Sequence, residues 1–369
     1  MIIYGSQMLV FPVTIELMIV LGIETSCDET AVGIVKDGYE LLANQVASSM
    51  DLHVQYGGVV PEIAARSHIE AMTPVIQAAL DQAGLGWPQI DAIAVTYGAG
   101  LGGSLLIGVM AARTLAITHN KPLYACNHVE GHVYANFLTA TALPGYVMRA
   151  QAPEFPMLAI IVSGGHSQLV LFQDHFKYQL LGRTQDDAIG EAFDKVAKLT
   201  GLPYPGGPSV SKAALSGNPD AVPLPKAKVG KYDFSFSGPK TAVLRAAQAM
   251  CGQDFSFPSY KLPERLTDQQ VADIAASFQR VACETIVEKA ALACQEFKPA
   301  SVVIAGGVAA NQELRKQLTE ALPLPITFPD LTLCTDNGAM IATLGCFKAM
   351  TAQPKANPYT LAIQPSLSM

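Results

Sequence analysis

Two histidines four residues apart, in the run His128-Val129-Glu130-Gly131-His132, carry the most direct chemical signal in this chain. If Asn127 caps a helix there, both imidazoles fall on one face and reach a common metal ion. Zinc-protease chemistry needs a glutamate directly after the first histidine. Glu130 stands one place too late, turned roughly 200° from His128 at about 100° per residue. A metal needs further ligands, and Asp336 in Thr335-Asp336-Asn337-Gly338 offers a carboxylate. Two imidazoles and a carboxylate with open positions suit iron or zinc that engages a substrate. An aspartate at a helix start is also a common N-cap, and that alternative stays open.

Glycine-rich loops supply the second signal. Ser163-Gly164-Gly165-His166 joins two apolar runs, 158–162 and 167–172, that read as strands. Such a loop presents bare backbone N–H groups to phosphate oxygens, although an ordinary hairpin turn has the same look. No helix follows it, so a dinucleotide fingerprint fails, and no phosphate-binding G-x-x-x-x-G-K-[ST] pattern occurs. Gly306-Gly307 lies instead between a strand and a helix, fit to receive an adenosine or simply to pack helix on strand.

The elements that must position these residues repeat. Strand, polar loop and strand at 19–35 return at 158–172, and strand-to-helix units at 93–104 and 123–128 return at 302–311 and 326–336. Two duplicated α/β lobes facing across a cleft are expected, of the actin, sugar-kinase and heat-shock ATPase type. Residues 18–145 are assigned to the N-terminal lobe with the histidines, and 146–369 to the C-terminal lobe with a helical insertion over about 184–299. The pseudo-twofold brings Asp336 opposite His128 and His132. Within the insertion, helices are expected at 189–199 and 268–295 around a Pro- and Lys-rich loop at 203–240.

The chain has 369 residues, half of them hydrophobic, and a net charge of −7, which excludes an autonomous nucleic-acid binder held by bulk charge. The whole net charge of −7 falls within residues 1–150, and the segment 195–245 is locally +6. That strip, with Lys226, Lys228 and Lys231, is the expected contact for a polyanion. Seven cysteines without a C-x-x-C pair fit a reducing cytosol, and no apolar run spans a membrane, so a cytoplasmic location is expected.

Longer motifs point further. Leu21-Gly22-Ile23-Glu24-Thr25-Ser26-Cys27-Asp28-Glu29-Thr30, Gly57-Gly58-Val59-Val60-Pro61-Glu62, the histidine pentapeptide, Val162-Ser163-Gly164-Gly165-His166, Gly190-Glu191-Ala192-Phe193-Asp194-Lys195, Tyr204-Pro205-Gly206-Gly207-Pro208, Phe234-Ser235-Phe236-Ser237-Gly238 and residues 334–339 stand in order. Together they resemble the tRNA N6-adenosine threonylcarbamoyltransferase family from about Met18 to the last helix.

The resemblance implies transfer of a threonylcarbamoyl group from threonylcarbamoyl-adenylate. The acceptor is the N6 amine of the adenosine 3′ of the anticodon, in tRNAs reading codons that begin with adenine. It implies one divalent metal per subunit, iron or alternatively zinc, on His128, His132 and Asp336. Ile161, Val162, Ser163, Gly164 and Gly165 match its substrate loop, and Asp194, Gly207 and Asn311 its nucleotide contacts. Asp194 is expected at the ribose and Asn311 at the adenine edge. Archaeal relatives carry tyrosine at the position of Ile161, so a fourth ligand from there is excluded. Relatives begin near Met18, so residues 1–17 read as an extension or an early-annotated start. Partners implied are tRNA, a paralogous actin-like (TsaB-like) subunit and a P-loop ATPase (TsaE-like) subunit, with no membrane.

An activated mixed anhydride requires no covalent enzyme intermediate, so Cys27 is not expected as a nucleophile. Glu24, Asp28 and His166 are the candidates for a general base. The alternatives are an O-carbamoyltransferase on the same metal-binding fold, a sugar or acid kinase, and a non-catalytic scaffold subunit. The histidine pair counts against the scaffold.

Overall fold

Two runs of branched apolar residues, IVLGIE at 19–24 and MLAIIV at 157–162, open two sheets built to one plan. The computed structural model describes residues 17–369; the expected N-terminal extension lies, except for Leu17, outside the described residues. The first sheet runs β5 (Leu123–Asn127), β4 (Ala92–Gly98), β1 (Ile19–Glu24), β2 (Glu29–Lys36), β3 (Glu40–Ser48) and β6 (Ala140–Thr141). The second runs β11 (Ile326–Thr327), β10 (Ser301–Ala305), β7 (Met157–Val162), β8 (Ser167–Asp174) and β9 (Lys177–Arg183). Each begins with three antiparallel strands and adds two parallel ones beside the first. This shared order is the duplicated, two-lobed α/β architecture of the actin and sugar-kinase type.

The central strands β1, β4, β7 and β10 are buried on both faces, which is why they read as continuous apolar runs. In the first, Leu21, Ile23, Val32 and Ile34 pack outward on α2 (Pro61–Ala83) and α3 (Gly102–Thr118); α1 (Met50–His53) precedes them. In the second, Leu158, Ile160 and Val162 pack outward on α5 (Ile189–Thr200), α6 (Gly206–Ala214), α7 (Ser237–Met250), α8 (Asp268–Phe297) and α9 (Gln312–Ala321). The inner faces share one core, filled by α4 (His128–Tyr134) and α10 (Gly338–Met350).

Glycines set how closely these inner helices approach. Gly22 and Gly33 are register partners on β1 and β2, and a Cβ on either would lie 2.2 Å from a backbone nitrogen of α10. A Cβ on Gly131 would lie 2.8 Å from Ile341, so α4 and α10 cross at a glycine. The last helix therefore sits on the first sheet. The tail follows it: Arg113 donates to the carbonyls of Pro358 (2.5 Å) and Tyr359 (2.6 Å), and Gln364 N to Tyr97 O (2.7 Å). The last helix and the tail, within the segment 146–369 assigned to the second lobe, contact the first sheet and α3.

Two further expectations change. The loop at 203–240 contains α6, and α7 begins at Ser237 within it. Four of the eight basic residues of the +6 strip are paired with acids outside it. Lys195 and Lys240 both bond Asp187 at 2.6 Å, Lys226 bonds Glu284 and Glu288, and Lys231 bonds Glu296. A window along the sequence counts the lysines and misses their partners.

Candidate functional site

Asn127 caps α4, its Oδ1 accepting from Val129 N at 2.8 Å and Glu130 N at 3.3 Å. That cap starts the helix one residue before His128, so His128 and His132 share a face, ring centroids 4.7 Å apart. Asp336 meets them from the loop before α10. Its Oδ1 lies 3.1 Å from His132 Nε2 and 3.6 Å from His128 Nε2. Ligand atoms about 2.1 Å from one ion stand roughly 3.0–3.4 Å from each other, so the trio fits a single metal. Asp336 is not the N-cap of its helix: Asn337 is, accepting from Met340 N at 2.9 Å. The carboxylate of Asp336 is left for a ligand.

The neighbouring charges fit this arrangement. Burial would raise the Asp336 carboxyl, yet His128 and His132 hold it well below the usual carboxylate range. Burial would lower the His128 imidazole, but Asp336 and Glu24 push it up to about 9. Glu24 is wholly buried at the end of β1. Its Oε2 lies 3.3 Å from His128 Nδ1 and accepts from Thr96, while Oε1 accepts from Ser26 N at 2.5 Å. Ser26 Oγ also stands 3.0 Å from His128 Nδ1. With Nδ1–H held from behind, His128 presents the Nε2 lone pair to a metal. Glu24, expected as a base candidate, has both oxygens engaged by Ser26, Thr96 and His128. Sequence reading missed the contact with His128 because β1 and α4 are a hundred residues apart.

The loop after β1 is fixed by two other elements. His68 of α2 donates from Nε2 to the Cys27 carbonyl at 3.0 Å and accepts at Nδ1 from Thr30 Oγ1 at 2.8 Å. Ser104 of α3 donates to the same carbonyl at 3.1 Å. Burial and the acids Asp28 and Asp336 raise the Cys27 thiol far above its ordinary value, so no thiolate nucleophile forms. Burial, then Asp336 and Asp28, push the Glu29 carboxyl up to about 9. Burial and the charges of His128 and His132 push His166 down to about 4, which favours its neutral form.

The glycine loop faces the same space. Ile161 and Val162 are fully buried, so only their backbone faces a ligand. Ser163 and His166 close the turn with Ser163 N donating to His166 O at 2.8 Å. The carbonyls of Ser163 and Gly164 accept the amides of Gly190 and Glu191, at 3.2 Å each, and so cap α5. Gly164 and Gly165 are exposed, with open space where a Cβ would stand. Across α5, Asp194 accepts from Gly206 N at 2.7 Å, and Gly207 opens α6 on free space. Asn311 caps α9 through Leu314 N at 2.9 Å and donates to Ser211 Oγ and Gln279 Oε1, both at 3.0 Å. It meets an adenine edge only by giving up one of these bonds. The Phe234–Gly238 motif is structural: Phe234 and Phe236 are core, and Ser235 and Ser237 bond Asp186.

A metal-fitting His-His-Asp centre between duplicated α/β lobes, beside a glycine loop, defines a group-transfer enzyme of this fold. A family model described as "TsaD: tRNA N6-adenosine threonylcarbamoyltransferase" matches residues 40–343. Over 335 residues the chain is 53% identical to the tRNA N6-adenosine threonylcarbamoyltransferase of Thermomicrobium roseum, covering 88% of this chain and 90% of that one. Over 353 residues it is 45% identical to the one from Dehalococcoides mccartyi, covering 95% and 99%. The chain belongs to the tRNA N6-adenosine threonylcarbamoyltransferase family and is a transferase of tRNA modification. The O-carbamoyltransferase alternative is not favoured. Among the described residues no helix is long and apolar enough to cross a membrane.

Proposed function

We propose that this chain transfers threonylcarbamoyl from threonylcarbamoyl-adenylate to N6 of the adenosine 3′ of the anticodon, in tRNAs reading codons that begin with adenine. The observation that carries this reading is the convergence of His128, His132 and Asp336 at 3.1–3.6 Å beside the open Gly164–Gly165 loop. The N6 nitrogen bonds to the carbamoyl carbon. The bond from that carbon to the adenylate phosphate oxygen breaks, AMP leaves with the electron pair, and the amine gives up one proton. One divalent ion on the trio, iron in preference to zinc, supplies a Lewis acid and template when bound.

The chain's own residues do the rest. The amides of Gly164 and Gly165 face the developing negative charge, and Asp194 keeps one oxygen for a ribose hydroxyl. Positioning the amine against an activated carbonyl supplies much of the rate. With Glu24 committed to His128, Asp28 and neutral His166 stand at the site to take the proton. Leu106, Met110 and Ile117, all exposed, lie on one side of α3, and we assign that row to the paralogous actin-like subunit. A P-loop ATPase subunit completes the assembly, in the cytoplasm.

The test combines the metal-loaded protein, both partner subunits, ATP, threonylcarbamoyl-adenylate and tRNA, followed by nucleoside mass spectrometry. Threonylcarbamoyl-adenosine is the expected product. Its absence with folded, metal-loaded protein overturns the reading.

A further inference from the structure

Between the lobes lies a cavity of about 550 Å³ that neither the metal trio nor the Asp194–Gly207 side uses. One wall is Gln168 and Arg183, register partners on β8 and β9, continuous with Gly165 and His166 of the glycine loop. The opposite wall is Ala99, Gly100 and residues 365–368, the tail that packs on the first lobe. Two polar groups on the first wall are uncommitted. Gln168 is only 7% exposed, yet its Oε1 has no hydrogen-bond partner, although buried amide oxygens are ordinarily paired. Arg183 is exposed, its backbone amide donates to Asp233 at 3.1 Å, and among the described residues its guanidinium meets no acid or acceptor. Lys195, Lys226, Lys231 and Lys240, by contrast, are each paired with an acid.

A buried acceptor and a free planar cation on one wall of a nucleotide-sized cavity call for a ligand with both an N–H edge and an anion. A nucleotide of single-stranded RNA turned out of its stack has both. We propose that the Gln168–Arg183 cavity receives the acceptor nucleotide. Arg183 takes a flanking phosphate, and Gln168 Oε1 accepts an N–H of the base. In adenosine the base's N–H groups are on the N6 amine, so the same oxygen holds the nucleophile beside the reactive loop. The assignment rests on the function proposed above and names its acceptor site.

The test measures binding of an anticodon stem-loop RNA by fluorescence anisotropy, and KM for tRNA and for the donor in the complete complex. Arg183→Ala is expected to weaken stem-loop binding about tenfold and to lower the salt slope by about one. Arg183→Lys recovers part of the affinity, since charge remains and the fork is lost. Gln168→Met replaces the carboxamide, with its unpaired oxygen, by an apolar chain of similar length, so Tm holds or rises while KM for RNA increases about fivefold. Donor KM stays unchanged throughout. Variants that bind RNA as the wild type does overturn the proposal, as does a donor KM that moves as much as the RNA KM. A wild-type complex that binds RNA but yields no product overturns the proposed transfer, while the binding arm still decides the cavity.

Discussion

At His128 a single side chain is held at both ends, Nδ1 by Glu24 and Ser26 and Nε2 toward Asp336. Replacing either ligand histidine with alanine is expected to abolish bound metal by elemental analysis and product by mass spectrometry. Glu24→Gln leaves the ligands in place and weakens metal binding about 10–100-fold, read by competition with a chelator. The pH dependence follows from the raised His128, about 9 folded against 6.5 for its ordinary value. Metal must displace that proton, so affinity rises with pH up to about 9 and then levels off. The metal-free protein behaves oppositely. Protonated His128 contributes stability fully below pH 6.5 and loses it as pH rises through about 9, so Tm of the metal-free protein falls across that window. A flat Tm there sinks the assigned Glu24–His128–Asp336 coupling. The histidine pair was legible in sequence because two imidazoles on one helical turn form a local pattern. Glu24, Gln168 and Arg183 were not, because their roles lie in contacts between strands and helices far apart in the chain.

The elements carrying these residues are set by absent side chains. Gly22 and Gly33 give α10 a floor without Cβ atoms, and Gly131 lets α4 cross it, which brings Asp336 to the histidines. Gly22→Ala is expected to destabilise the fold by about 1–3 kcal/mol or more and to lower metal occupancy, because α10 must lift from the sheet. Chemical denaturation and metal content check both. Occupancy unchanged in a destabilised variant separates the floor from the site. Asn127→Ala removes a cap with two amide partners and costs about 1 kcal/mol. The glycines are visible in the sequence, but the helix that each one faces is not, since α10 lies three hundred residues beyond β1.

Across the whole molecule, charge and apolar surface divide the partners. The lysines at 226 and 231 serve ion pairs with Glu284, Glu288 and Glu296. Exposed pairs of this kind contribute under about 1 kcal/mol, so Lys226→Ala and Lys231→Ala are expected to change Tm slightly and tRNA affinity not at all. Loss of tRNA affinity in those variants would return the contact to the strip. On the first lobe, Leu106→Asp with Met110→Asp is expected to leave the isolated chain folded and to abolish its co-elution with the paralogous subunit in size-exclusion chromatography. Continued co-elution places that interface elsewhere.

The sequence alone determined what repeats and what is local: the two strand–loop–strand units, the histidine pair under its asparagine cap, the glycine loop and the ordered family motifs. Those features depend on neighbours within a few turns of chain. Tertiary structure decided the rest. It joined Asp336 to the histidines through a glycine floor, set Glu24 behind His128, paired Lys226 and Lys231 with distant acids, and laid the last helix on the first sheet. Each of these is a contact between segments distant in sequence, and such a contact leaves no periodic trace along the chain.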